Sequence, residues 1–241
     1  MFSLEVKRSI HNNTIVYLMT VTATAFIMGW ALPFGIEKIV YIDAAYYMFS
    51  TYTVFTQFGF LLFGFVTSYY FSKDYREKNT IFYKSFDVNA LKFYLMKVAI
   101  LLIEEFACFF VDLIIVSILL GTWRYFTVSL GLFSIVVFQY FIIVGAISLI
   151  FRSTLMSLGV SIIYWILSIV LSSFGGVLKY FSSFDASNTL YRFVENYFRN
   201  DDKIPISALV DGMIEYGILL AAVTIIILCI SPKWVRKGLY L

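Results

Sequence analysis

Histidine, cysteine, proline and charge are all scarce in these 241 residues. With one histidine, His11, chemistry at a His-ligated metal is excluded. The two cysteines, Cys108 and Cys229, both fall inside apolar runs and form neither a disulfide framework nor a metal pattern. Three prolines leave few helix breakers. No G-x-x-x-x-G-K-S/T phosphate loop occurs, and no connection is long enough to hold a nucleotide-binding domain. Only 14% of the residues are charged, with a net charge of +3, so nothing points to nucleic acid.

What fills the chain is apolar. Hydrophobic residues make up 61% and aromatics 20%, with a mean hydropathy of +0.87, which places the chain among membrane proteins. A helix needs about 20 mainly apolar residues to cross a bilayer. Six segments meet that length: 14–34, 48–71, 93–120, 126–151, 155–178 and 211–231. The first is longer than the apolar core of a signal peptide and no cleavage site follows it, so it reads as a retained span. A membrane barrel would alternate polarity in short segments, and these runs are continuous. The expectation is a single all-α domain of six transmembrane helices over residues 1–241.

Orientation follows from lysine and arginine beside the spans. Placing the N-terminus in the cytoplasm leaves Lys38, Arg124, Lys179, Arg192, Arg199 and Lys203 outside, and the other twelve of the 18 inside. Both termini are therefore expected in the cytoplasm. Phe2, Val6 and Ile10 recur every four residues, with Lys7, Arg8 and His11 elsewhere on the wheel, which suits an interfacial N-terminal helix.

Charge concentrates in one stretch, "SKDYREKNTIFYKSF" at 72–86, between the second and third spans. Lys73, Lys78 and Lys84 would hold orientation by themselves. Asp74, Glu77 and Asp87, and the apolar Tyr75, Ile81, Phe82 and Phe86, do not serve that purpose. Mixed charge with spaced aromatics reads instead as a short amphipathic helix meeting a protein surface.

"KDYREKNTIFYKSFDVNALKFYLMK" resembles the loop between spans 2 and 3 in permease subunits of ABC-2-type transporters. There a D-x-R-E-x-G-T run precedes a short helix and a span-opening lysine. Asp74, Arg76, Glu77 and Thr80 match the run, and Lys97 the lysine. Asn79 stands in the place of the common glycine, and Phe86-Asp87 in that of a small residue or proline. The resemblance implies a coupling helix seated in a groove of a separate cytoplasmic ATPase. Its contact residues would be Asp74, Tyr75, Arg76, Glu77, Lys78, Thr80, Phe82 and Phe86. It also implies that ATP and Mg bind to that partner and that this chain holds no cofactor. Further implications are a second permease copy or similar permease, a bacterial plasma membrane and export. The cargo would be hydrophobic or amphipathic, peptide or drug-like.

Between spans 5 and 6, Leu190, Phe193, Val194, Tyr197 and Phe198 form an apolar helical stripe within 179–210. The resemblance makes this segment an external gate; by pattern alone it equally rests on lipid headgroups.

Glu104, Glu105 and Asp112 lie inside the third span, where each charge must face protein, water or a partner. They read as ion-paired structure (with Lys97, seven residues before Glu104, with Arg152 or with a tyrosine), as the lining of a cargo path, or as a catalytic pair. The E-E-x-x-x-R pattern of CAAX-type intramembrane proteases fails at Phe109. The chain is accordingly expected to be a transport subunit and not an enzyme. The rivals are a channel or scaffold without an ATPase, and an intramembrane enzyme using Glu104 and Glu105. Gly217/Ala221 and Ser172/Gly176 have the small-xxx-small spacing of close helix contacts.

Overall fold

The computed structural model describes residues 2–36, 38, 41–86, 88–178, 189–200 and 203–237. The protein is all-helical there, with no strand among the described residues. The helices are α1 (Phe2–His11), α2 (Thr14–Ile36), α3 (Ala44–Arg76), α4 (Asn79–Ser85), α5 (Ala90–Leu120), α6 (Phe126–Phe151), α7 (Thr154–Ser173), α8 (Thr189–Asn200) and α9 (Ile206–Lys237). Five of them, α2, α3, α6, α7 and α9, are long and apolar enough to cross a membrane. The 31-residue α5 matches them in length and differs by its charges, Lys97, Glu104, Glu105 and Asp112.

Helices α3 and α6 form the centre; 61% and 72% of their apolar windows are buried, against 17% in α7 and α9. Phe55 of α3 anchors that centre, packing on Phe26 of α2, Phe109 of α5 and Phe133 of α6. Tyrosine hydroxyls tie the helices together by donating to the second lone pair of helical carbonyls. Tyr140 donates to Phe55 O at 2.8 Å, Tyr94 to Ile142 O at 2.8 Å and Tyr75 to Leu149 O at 3.2 Å. Without water in hydrocarbon, a buried hydroxyl must find such a partner. A Cβ on Gly29 would lie 2.8 Å from the Cα of Thr51, so only glycine lets α2 and α3 approach this closely.

Three boundaries depart from the sequence reading. The second span continues as one helix to Arg76, because no breaker intervenes and Lys73 pairs with Glu77 one turn on. The turn that follows is made by Lys78 in left-handed backbone (φ 59°), and Asn79, in the place of the common glycine, opens α4. The fifth expected span, α7, ends at Ser173 instead of near 178, since Gly175 (φ 74°) and Gly176 (φ 62°) take left-handed backbone. Gly176 therefore lies beyond the helix, and Ser172/Gly176 is not a helix-contact pair. Gly217 and Ala221 point outward with nothing of this chain against Gly217.

Candidate functional site: an ionic knot where four helices meet

Asn13 (φ 56°) turns the chain between α1 and α2 and lays α1 beside the last turns of α3 and the first turns of α5. Its outward face carries Phe2, Leu4 and Ile10, all exposed, which suits a helix lying against lipid. The inward face is polar: Glu5 and Ser9 are buried. That inward face meets Asp74 and Lys97, and all three charges, Glu5 (2%), Asp74 (0%) and Lys97 (1%), are essentially sealed from solvent.

The Lys97 ammonium of α5 bridges Glu5 Oε1 at 3.1 Å and Asp74 Oδ2. It also donates to Tyr70 O at 3.2 Å and lies 3.8 Å from the centre of the Tyr70 ring. Arg8 of α1 takes the other side. Its guanidinium pairs with Asp74 Oδ1, with Glu77 Oε2 at 3.1 Å, and donates to the Tyr83 hydroxyl at 3.0 Å. Tyr83 of α4 in turn donates to Glu5 Oε2, while Tyr70 donates to Glu5 Oε1 at 3.1 Å. Lys73 closes the edge through Asn12 Oδ1 at 2.7 Å and Glu77 at 3.7 Å. Glu5, Asp74 and Glu77 balance Arg8, Lys73 and Lys97, so the knot is neutral, as burial of charge requires.

Burial by itself would raise the Glu5 carboxyl, but the Lys97 charge, the Tyr83 hydroxyl and Arg8 outweigh it and hold it below its ordinary value of 4.5. The Tyr83 hydroxyl is pushed up by burial and by the Asp74 and Glu5 charges, so it stays a donor. A depressed carboxyl contributes stability in full above its unfolded value and loses it as pH falls through the folded one. Glu5→Gln should therefore lower the melting temperature at pH 7, and the gap to the native protein should close as pH drops below 4.5. Thermal melts in detergent across that range read this out; a gap independent of pH contradicts it.

The expected coupling residues divide into two groups. Asp74, Tyr75 and Thr80 face inward and are buried, whereas Arg76, Glu77, Lys78 and Phe86 are exposed together with Ile81. The Phe82 side chain and Asp87 lie outside the described residues. Glu5, Arg8, Tyr70 and Tyr83 escaped the sequence reading. The Glu5–Arg8–Ser9 stripe on α1 was the available signal: polar residues at helical spacing beside an apolar face.

Lys97 does not pair with Glu104, because Glu5 and Asp74 occupy it, and Arg152 lies over the Tyr75 ring instead of near a carboxylate. Glu104 Oε2 accepts from Ser9 of α1 at 2.9 Å, and Glu105 Oε1 from Thr22 of α2 at 2.9 Å. The two glutamates are thus held by different helices. Asp112 lines a cavity between α2 and α5. At the far end of α3, α8 buries Leu190, Val194 and Phe198, with Phe193 and Tyr197 half-buried. Tyr191 lies 2.7 Å from the Thr53 hydroxyl and stacks on Tyr52, so the stripe faces protein. Residues 179–188 of that segment lie outside the described residues.

Comparison with known proteins agrees with a membrane transport subunit. Residues 2–239 match the profile of the family described as "Peptide export permease protein YydJ family". The chain is 35% identical over 238 residues to the "Probable peptide export permease protein YydJ" of Bacillus subtilis (strain 168), covering 98% of this chain and 99% of that one. No solved structure matches. The class is a membrane permease of export systems, in keeping with the ABC-2-type resemblance. Within it, this chain belongs to the YydJ peptide export permease family.

Proposed function

We propose that the chain is the membrane half of an ATP-driven peptide exporter, crossing the plasma membrane six times on α2, α3, α5, α6, α7 and α9 with both termini in the cytoplasm. A separate ATPase binds ATP and Mg, and two permeases, identical or similar, enclose the path. The observation that carries this reading is the attachment of α4. It is a seven-residue helix presenting Ile81, with exposed Phe86 just after it. It is tied by Tyr83 to Arg8 and Glu5 of α1, by the Tyr83 ring to Phe93 of α5 and by Asn79 to Asp74 of α3. A knob that must transmit force has to be stiff, and buried, neutral, hydrogen-bonded charges are hard to shear.

The lever is α3. Its 33 residues span about 50 Å, carrying the turn into α4 at one end and the α8 contacts at the other. When nucleotide closes the ATPase pair, movement of α4 tilts α3 and is felt under α8, which gates the outer end. The path thereby alternates between its two openings. Arg76, Glu77, Lys78, Ile81 and Phe86 are the surface the ATPase grips. An enzyme acting through Glu104 and Glu105 is disfavoured, because the pair diverges towards Ser9 and Thr22.

The test is purification in mild detergent from native membranes. A P-loop ATPase should accompany the chain, and Arg76→Ala with Ile81→Ala, both outside the knot, should uncouple its ATP hydrolysis from peptide efflux at a stability cost of no more than about 1 kcal/mol. Coupling unchanged in that double variant contradicts the assignment.

A further inference from the structure

Two cavities follow one another along the seam of α2 and α5. One, about 630 Å³, is lined by Ile15, Met19, Ala23 and Ile27 of α2 with Cys108 and Val111 of α5. The next, about 550 Å³, shares Ala23 and Ile27 and adds Phe26, Trp30, Tyr47 and Asp112. They share the Ala23 and Ile27 walls, and together their α2 lining runs from Ile15 to Trp30, about 22 Å along the helix axis. That length suits a peptide segment and exceeds most small ligands. Ile27, Trp30 and Leu119 border it and are exposed, so it is open from the side.

The groove is apolar except for one charge. Asp112 is 7% exposed, and its Oδ2 has no hydrogen-bond partner. Among the described residues it makes no ion pair, and the nearby Tyr47 hydroxyl is already given to Phe26 O at 3.1 Å. Of the other buried carboxylates, Glu5 and Asp74 have cations, and Glu104 and Glu105 each have a hydroxyl on one oxygen. A carboxylate without a cation is costly to keep among apolar walls, and a visiting cation would offset that cost.

Resting on the peptide-export reading, we propose that the α2–α5 groove binds the cargo peptide and that Asp112 recognises a cationic group on it, a lysine or arginine side chain or the terminal amine. Phe26, Trp30 and Tyr47 line the same cavity as Asp112, and aromatic rings there suit both a cation and the apolar residues flanking it. The site thereby selects amphipathic peptides with a buried positive charge over purely apolar ones. The carboxylate disfavours anionic and neutral cargo of the same shape, since neither offsets its charge.

The probes are a fluorescently tagged leucine-rich peptide with one central lysine and its glutamine twin, added to the full chain in uncharged-lipid nanodiscs. The native protein should bind the lysine peptide at least about tenfold more tightly than the twin. Asp112→Asn should erase the preference, and Glu104→Gln should keep it. Ile115→Lys, one turn away, places a resident ammonium beside the carboxylate and should erase the preference without removing Asp112. No preference in the native protein, or a preference that survives both Asp112→Asn and Ile115→Lys, overturns the site; a groove filled by lipid or by a second copy gives the same negative. Transport separates this from the parent reading. If vesicles with the ATPase and ATP export both twins equally, export stands and the cation site falls. If the lysine preference holds and depends on Asp112 but no ATP-driven transport occurs, the site stands and the export reading falls.

Discussion

Lys97→Met should be the most damaging single change in this chain, costing about 3–5 kcal/mol of stability, because it strands charges that are already dehydrated. Glu5 and Asp74 would lose their shared cation, and Arg8, 25% exposed, lies on the far side of the pair. Methionine fills a similar volume, so the loss is electrostatic and not a cavity. The double variant Lys97→Met with Glu5→Gln restores neutrality and should recover more than half of the loss. Thermal or denaturant unfolding of the four members of that cycle measures the coupling. Equal losses in the single and double variants would mean that the knot contributes packing alone.

The second large effect is on transport. Arg8→Ala with Tyr83→Phe removes the bonds from α1 to α4 while leaving the Lys97 bridge between α5, α1 and α3 in place. The bundle should lose stability, because Asp74 and Glu77 lose Arg8, yet stay folded through the Lys97 bridge. The ATPase should still bind, since Ile81, Phe86 and Lys78 are untouched. Efflux per ATP should fall by about tenfold or more, because α4, no longer braced against α1, yields at its turn instead of passing the full movement to the spans. Hydrolysis in reconstituted vesicles should continue near its native rate. A parallel fall in hydrolysis and efflux would place Arg8 and Tyr83 in ATPase binding instead of in transmission.

Much of the helix layout was legible in the sequence, for a physical reason. Hydrocarbon forces every spanning backbone into a continuous apolar helix, so length and hydropathy announce it. Departures came where that force ends. Residues 72–76 read as the opening of a separate amphipathic helix, yet they extend α3, because no breaker separates them from it and Lys73 pairs with Glu77 one turn on. The Gly175–Gly176 break stops α7 inside a run that is still apolar. The stripe at Leu190, Val194 and Phe198 was visible as periodicity, but its choice of protein over lipid depends on Tyr52, Thr53 and Tyr125, far off in sequence.

The knot was the least legible part. Glu5 and Lys97 meet although 92 positions separate them, and no spacing rule connects such partners. The regular heptad interval from Lys97 to Glu104 suggested a local pair that does not form. Side chains one helix apart in space, but distant in the chain, satisfied each charge first.

One measurement bears most directly on the claim that α4 is a cytoplasmic handle. In a Cys229→Ser background, with Cys108 buried, Ile81→Cys is the single reactive thiol on an exposed position of α4. A membrane-impermeant maleimide should label it in inside-out vesicles only, and the bound ATPase should protect it. Labelling from the outer face of intact cells, or labelling that the ATPase leaves unchanged, would contradict the account.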